Sequence, residues 1–190
     1  MSVTVEALAA AMQRWGFLET PAPDAALRWI GTLPEAYGAE VAVVDDAFAL
    51  VEALRAEACT IPALELERLR SRDAVFFIDA VGQYVDDQPE LRGLPLEDDL
   101  PAIAAEFGIG ADDARKAVRM ALTGKAEGPP LELLFPLLGH DRILIRAGAV
   151  SSKLLHGRGL EPIAFGPDGA PFEPLRGRPP GGDAPDEPAG

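Results

Sequence analysis

The sequence predicts an all-α protein, and three observations lead there. Apolar residues make up 48% of the 190 residues but aromatics only 6%, so the core is mostly Ala, Leu and Val, a mixture that favours packed helices over a sandwich. Apolar residues recur at three- and four-residue spacing, as in Leu8, Met12 and Trp15. Glycines close several of these periodic stretches, notably Gly16, Gly124 and Gly139, where a helix C-terminus favours a residue without a Cβ.

Taken in order, Val5 to Met12 reads as a first helix with Gly16 as its stop. Pro21 to Pro23 make a turn, and Asp24 is positioned to cap a short second helix through Trp29. Val41 to Ala58 predicts a long helix, with Val44, Phe48, Val51 and Leu54 at helical spacing. Thr60-Ile61-Pro62 breaks it, and Pro62 starts the next. Leu64 to Tyr84 predicts one long helix or two joined near Ser71, with Phe76, Phe77 and Val81 facing a core. The acidic stretch 86–96, with Pro89, Gly93 and Pro95, reads as a connection. A short helix from Glu97 to Phe107 follows, then one from Ala111 or Asp112 to Gly124. Pro129 and Pro130 open another through Leu138, and Asp141 caps a last helix to about His156, with Ile143, Leu144, Val150 and Leu154 mostly inward. Beyond it, residues 158–176 predict a small hairpin around Pro167-Asp168-Gly169, and residues 177–190 a disordered tail. The expected organisation is therefore N-terminal helices over 1–39, a helical region over 40–157, the hairpin extension and the tail.

No apolar run reaches about 18 residues, the length a membrane helix needs. The N-terminus lacks the basic-then-apolar pattern of a secretory signal. The one cysteine, Cys59, excludes an internal disulfide and fits a reducing, cytoplasmic setting. A net charge of −14 opposes nonspecific nucleic-acid binding, yet the charge is unevenly spread. Residues 1–110 hold 7 Lys/Arg against 20 Asp/Glu, 111–158 hold 8 against 5, and 159–190 hold 2 against 6. The single net-basic segment is 111–158.

That segment carries the most specific motif. Arg119-Met120-Ala121-Leu122-Thr123-Gly124 is followed by Gly128-Pro129-Pro130-Leu131 and then Leu138-Gly139, with Pro129 ten residues after Arg119. This run resembles the C-terminal anticodon-binding domain of bacterial glutamyl-tRNA synthetases, most closely over 98–150 and more loosely back to about 40. That family carries an R-x-A-L-T-G run, a loop ending in Ser/Thr-Pro-x-Leu, and a later Leu-Gly. The resemblance implies a helical cage of the class I synthetase type that reads unpaired anticodon bases. It implies base contacts from Arg119 and from the loop at Gly128, Pro129 and Leu131, and it ranks Arg146 first among the remaining cations. Gly128 stands where the family has Ser or Thr, so a hydroxyl and its hydrogen bond are lost.

The chemistry suits such a role. Single-stranded loops expose base edges and π-faces. An arginine fork binds two acceptors on one edge, and a proline loop presents an apolar wall at low entropic cost. Arg115, Lys116, Lys125, Arg142, Lys153 and Arg158 read mainly as a solvated face.

Enzyme readings are poorly supported. The acidic pairs Asp45-Asp46, Asp86-Asp87, Asp98-Asp99 and Asp112-Asp113 are sequence neighbours that do not share a helix face, and read as caps and solvated loops. Cys59, His140 and His156 do not make a zinc spacing, and Ser151-Ser152-Lys153 lies inside a helical stretch. No metal, cofactor or catalytic residue is expected. The chain opens on Met1 and is short, so the expectation is a stand-alone relative without the ATP-binding, glutamate-activating half. The function this implies is a non-catalytic tRNA-binding module, with the anticodon loop of a glutamate tRNA as ligand. The alternatives are a protein-interaction scaffold that has lost RNA binding, or the docking half of a split synthetase with a separate catalytic chain. An exposed apolar patch around Leu8, Met12 and Trp15 would favour docking.

Overall fold

A computed structural model describes residues 4–45 and 47–156, and all of its regular structure among these is helical. The expected hairpin and tail lie outside the described residues. The elements are α1 (Val5–Arg14), α2 (Asp24–Tyr37), a 3-10 turn (Gly38–Val41), α3 (Ala47–Arg55), α4 (Ala63–Arg68) and α5 (Arg72–Asp86). They continue with α6 (Leu96–Glu106), α7 (Ala111–Thr123), α8 (Leu131–Leu138) and α9 (His140–His156).

The most extensive packing joins α5 and α9. At Gly82 the two helices lie close, a Cβ there falling at ordinary contact distance, 3.8 Å, from that of Ala147. Helix α8 is buried at Leu131, Leu134, Phe135, Leu137 and Leu138, so it runs through the interior rather than over it. Helix α2 packs on α8, α6 on α7, and α1 on α2. Trp29 Nε1 donates to the Leu137 carbonyl at 2.8 Å, which ties the N-terminal helices into the same core as the rest.

Three segments differ from the sequence expectation, each for a packing reason. Helix α2 does not stop at Trp29 but continues to Tyr37 through Gly31 and Pro34. A proline in a helix interior costs about 3 kcal/mol and a glycine about 1. Full burial of Ile30 and Leu33 offsets this, at roughly 1.5–3 kcal/mol each. Pro23, not Asp24, is the N-cap residue, and it makes no side-chain cap bond. The long helix expected over 41–58 is instead the 3-10 turn followed by α3, whose first amide, Ala47, donates to the Val43 and Val44 carbonyls. This start buries Ala47, Val51 and Leu54 on one face.

The 64–84 stretch is two helices. Ser71 caps α5, its Oγ accepting from the Ala74 amide at 3.0 Å. Phe77 and Val81 are buried as expected, but Phe76 is 45% exposed. The inward stripe of α5 runs through Ala74, Val75, Phe77, Ile78 and Val81, and Phe76 falls outside it. In α9, Ile143, Val150 and Leu154 are buried while Leu144 is only partly so.

Candidate nucleic-acid interface

Helix α7 ends because Gly124 adopts a left-handed conformation, φ 75°. Just before that end, the Thr123 hydroxyl donates to the Arg119 carbonyl at 2.8 Å and accepts from the Lys125 amide at 3.3 Å, turning the chain into the 124–130 loop. The loop returns past Arg119, whose Nε donates to the Pro129 carbonyl at 3.0 Å. The motif's arginine and proline, ten residues apart in sequence, are thus joined directly. Arg119 is half-buried, and among the described residues neither of its Nη groups makes a hydrogen bond.

The remaining expected contacts divide. Gly128 is exposed, and a Cβ on it would meet only the Arg119 Cδ, at 3.9 Å. Its φ of 157° is at the margin of what residues with a side chain adopt, in keeping with glycine at this position. Pro129 is buried, and its carbonyl is the Arg119 acceptor. Leu131 is 2% exposed, because it is the first residue of α8 and turns into the core.

Arg146 differs most from its expected position. It is 2% exposed, in the interior of the fold. Its Nη1 donates to the Leu122 carbonyl at 2.5 Å, and its Nη2 to the Ala53 and Ala56 carbonyls, both at 2.7 Å. These are the last carbonyls of α7 and α3, the groups a helix leaves unpaired, at the negative ends of two helix dipoles. One turn earlier, Arg142 donates to the Arg55 carbonyl at 2.9 Å and the Leu138 carbonyl at 3.2 Å. Two arginines of α9 thereby gather the C-termini of α3, α7 and α8. Burial lowers the Arg146 pKa from the ordinary guanidinium value, and the Arg142 charge acts in the same direction.

Next to the loop is a cavity of about 130 Å³. Leu50 and Leu54 of α3 line it with Pro129, and Tyr37, Cys59 and Arg146 contribute polar groups. Burial pushes the Tyr37 phenol up to about 12, assisted by Glu40 and opposed by Arg146. Burial also raises the Cys59 thiol, again opposed by Arg146. Nothing in the sequence joins Tyr37, Cys59 and Arg146, which are separated by tens of residues and meet only through folding.

On another side of α7, a cleft of about 600 Å³ separates it from α4 and the start of α5, lined by Arg68, Ser71, Asp113 and Lys116 among others. The sequence count assigns Arg68 to the acidic half of the chain, but the fold sets it across the cleft from Lys116. The positive ends of α5 and α7, at Ser71 and Gly110, border the same cleft. Arg115 pairs with Asp112 at 3.4 Å and Arg68 with Glu65 at 2.9 Å, exposed i,i+3 contacts of little energetic weight.

Leu8, Met12 and Trp15 do not form the exposed apolar patch that would favour docking. Leu8 and Met12 are buried, and Trp15 packs edge-on against Phe17 and Phe48. Among the described residues no three His, Cys, Asp or Glu side chains are arranged to hold a metal ion, and no helix is long and apolar enough to cross a membrane. His140 Nε2 lies 2.8 Å from the Gln88 carbonyl oxygen, and the Cys59 thiol faces the Ala121 carbonyl at 3.6 Å.

Residues 46–149, which include the Arg119–Pro129 junction and the cleft beside α7, match the family model for the anticodon binding domain. A stretch of 75 residues, 40% of the chain, is 36% identical to the glutamate–tRNA ligase of Thermobifida fusca (strain YX). The matched region spans 16% of that ligase's own length. With more than half of its length matched, the chain belongs to the anticodon-binding domain family.

Proposed function

We propose that this chain is a non-catalytic tRNA-binding module that holds the unpaired nucleotides of an anticodon loop, a glutamate tRNA being the first ligand to test. The observation that carries this reading is Arg119. Its Nε is tied to the Pro129 carbonyl, which fixes the guanidinium plane, while both Nη groups remain without a hydrogen bond among the described residues. A half-buried, oriented fork of this kind suits two acceptors on a base edge. Lys125 beside the loop, and Lys116 and Arg68 at the cleft on the other side of α7, suit the phosphates. The net charge of −14 repels RNA from other faces, so these few cations would set its approach.

In this reading Gly128 and Pro129 frame the bases beside Arg119. Leu131 and Arg146 act from beneath, Leu131 by packing and Arg146 by holding the helix ends under the loop. Residues 40–157 form the binding region, and α1 and α2 brace it through α8.

The test is a mobility shift with total tRNA at two salt concentrations, comparing the parent chain with Arg119→Ala. The expected result is a shift that weakens with added salt and with the substitution. Absence of any shift at low salt, up to tens of micromolar protein (roughly the nonspecific range), would overturn the reading in favour of a scaffold that binds protein.

A further inference from the structure

We propose that residues 159–176 of this chain dock in the cleft between α7 and the α4–α5 turn, and that an RNA must displace them to reach the cations there. The inference rests on the RNA-binding reading and adds a means of regulating it.

The cleft suits a peptide with two kinds of side chain. At about 600 Å³ it falls among sites of roughly 300–1,000 Å³ that enclose drug-sized ligands, a size that fits a few residues of chain. Its floor is apolar, with Leu69 and Met120 buried and Ile109 beside them. Arg68 and Lys116 line it against one acid, Asp113. Arg72, exposed at the start of α5, follows Ser71 of the lining and adds a third cation. Lys116 makes no hydrogen bond or ion pair among the described residues. A free phosphate matches the cations but leaves the apolar floor uncovered. A segment carrying carboxylates and apolar side chains together matches both. Residues 159–176 have that composition. Glu161, Asp168 and Glu173 are interspersed with Ile163, Phe165 and Phe172, and Arg176 is their one cation.

Helix α9 delivers the segment to the cleft. At the start of α9, His140 Nε2 lies 2.8 Å from the carbonyl oxygen of Gln88, just past the end of α5. Farther along, Ala147 faces Gly82. Numbers rise along α9 as they fall along α5, so the two helices run antiparallel. The last turn of α9, ending at His156, therefore lies against the start of α5, which contributes Ser71 and Ala74 to the cleft. His156 is about one helix diameter, on the order of 10 Å, from the cleft. About three residues of extended chain cover that distance, so the segment begins within reach. A tether of this kind gives an effective concentration of about 1 mM. A contact of about 100 μM intrinsic Kd would then be closed about nine-tenths of the time, and RNA would bind about tenfold more weakly.

The test uses the full chain. Without RNA, carbodiimide coupling and peptide mapping should join Lys116 to Glu161, Asp168 or Glu173 within one copy. An anticodon stem-loop hairpin at about ten times its Kd should cut that coupling about tenfold. In a mobility shift, the triple variant Glu161→Gln, Asp168→Asn, Glu173→Gln should bind the hairpin about tenfold more tightly. A control, Glu19→Gln, Glu35→Gln, Glu90→Gln, removes the same charge from exposed positions elsewhere and should gain less than about threefold. Coupling of Lys116 to Asp112 or Asp113 alone, or only between two copies, would overturn the docking while RNA binding stands. Equal gains in the two triple variants would assign the effect to net charge and overturn it as well. If no hairpin binds any of the three proteins, the RNA-binding reading fails, and the regulation proposed here fails with it.

Discussion

Gly124 and the carbonyl oxygen of Thr60 are in such close register that a Cβ on Gly124 would lie 2.1 Å from that oxygen. The glycine therefore answers two demands, a left-handed helix end and passage of the 60–61 backbone across it. Gly124→Ala must displace backbone, not a flexible side chain. The expected loss is about 3 kcal/mol or more, at the upper end of single substitutions. Urea unfolding measures it, and a loss under about 1 kcal/mol would show that the backbone relaxes freely.

Arg146→Met tests the gathering of helix ends. The substitution keeps an unbranched apolar stem but leaves the Leu122, Ala53 and Ala56 carbonyls without their donor. The expected destabilisation is roughly 3–5 kcal/mol, since several buried acceptors lose a charged partner together. An unchanged unfolding midpoint would mean that these carbonyls find other donors.

The chain has two tyrosines, Tyr37 and Tyr84, and both phenols are raised from 10.0 to about 12. For Tyr84 burial is again the first cause, followed by its 2.6 Å hydrogen bond to Asp99. The unfolded chain gives up these protons near pH 10 and the folded chain near pH 12. Between those values the unfolded state binds fewer protons, so stability is constant below the window and falls as pH rises through it. Phenolate absorbance should titrate near 12 in the native protein and near 10 in denaturant. A native midpoint near 10 for either residue would contradict the burial.

Arg119→Lys keeps the charge but removes the planar fork and the Nε donor to Pro129. Affinity for an anticodon hairpin should drop about tenfold, equivalent to one good hydrogen bond, while its salt dependence stays nearly the same. Equal affinity for the two proteins would reduce Arg119 to a point charge.

Much of the helical order was legible from spacing and punctuation. Gly124 and Gly139 stop α7 and α8, and Pro62, Pro129 and Pro130 stand just before the helices they introduce. The errors came where burial outweighed local signals. Gly31 and Pro34 look like breakers but lie within α2, because Ile30 and Leu33 are buried on either side of them. The motif's spacing sets Arg119 and Pro129 ten residues apart, but the hydrogen bond between them is given by the fold alone. So is the interior position of Arg146. Locally an arginine on a helix reads as solvent-facing, and only the convergence of the ends of α3 and α7 gives it enough acceptors to stay inside.

The sequence by itself determined the helical class, most helix ends and the anticodon-binding motif, because period, proline and glycine act over a few residues. Tertiary structure alone decided which cations face water, which one is enclosed by carbonyls, and that Tyr37, Cys59 and Arg146 share a cavity. Those outcomes depend on contacts between residues more than twenty positions apart, whose energies no local pattern records.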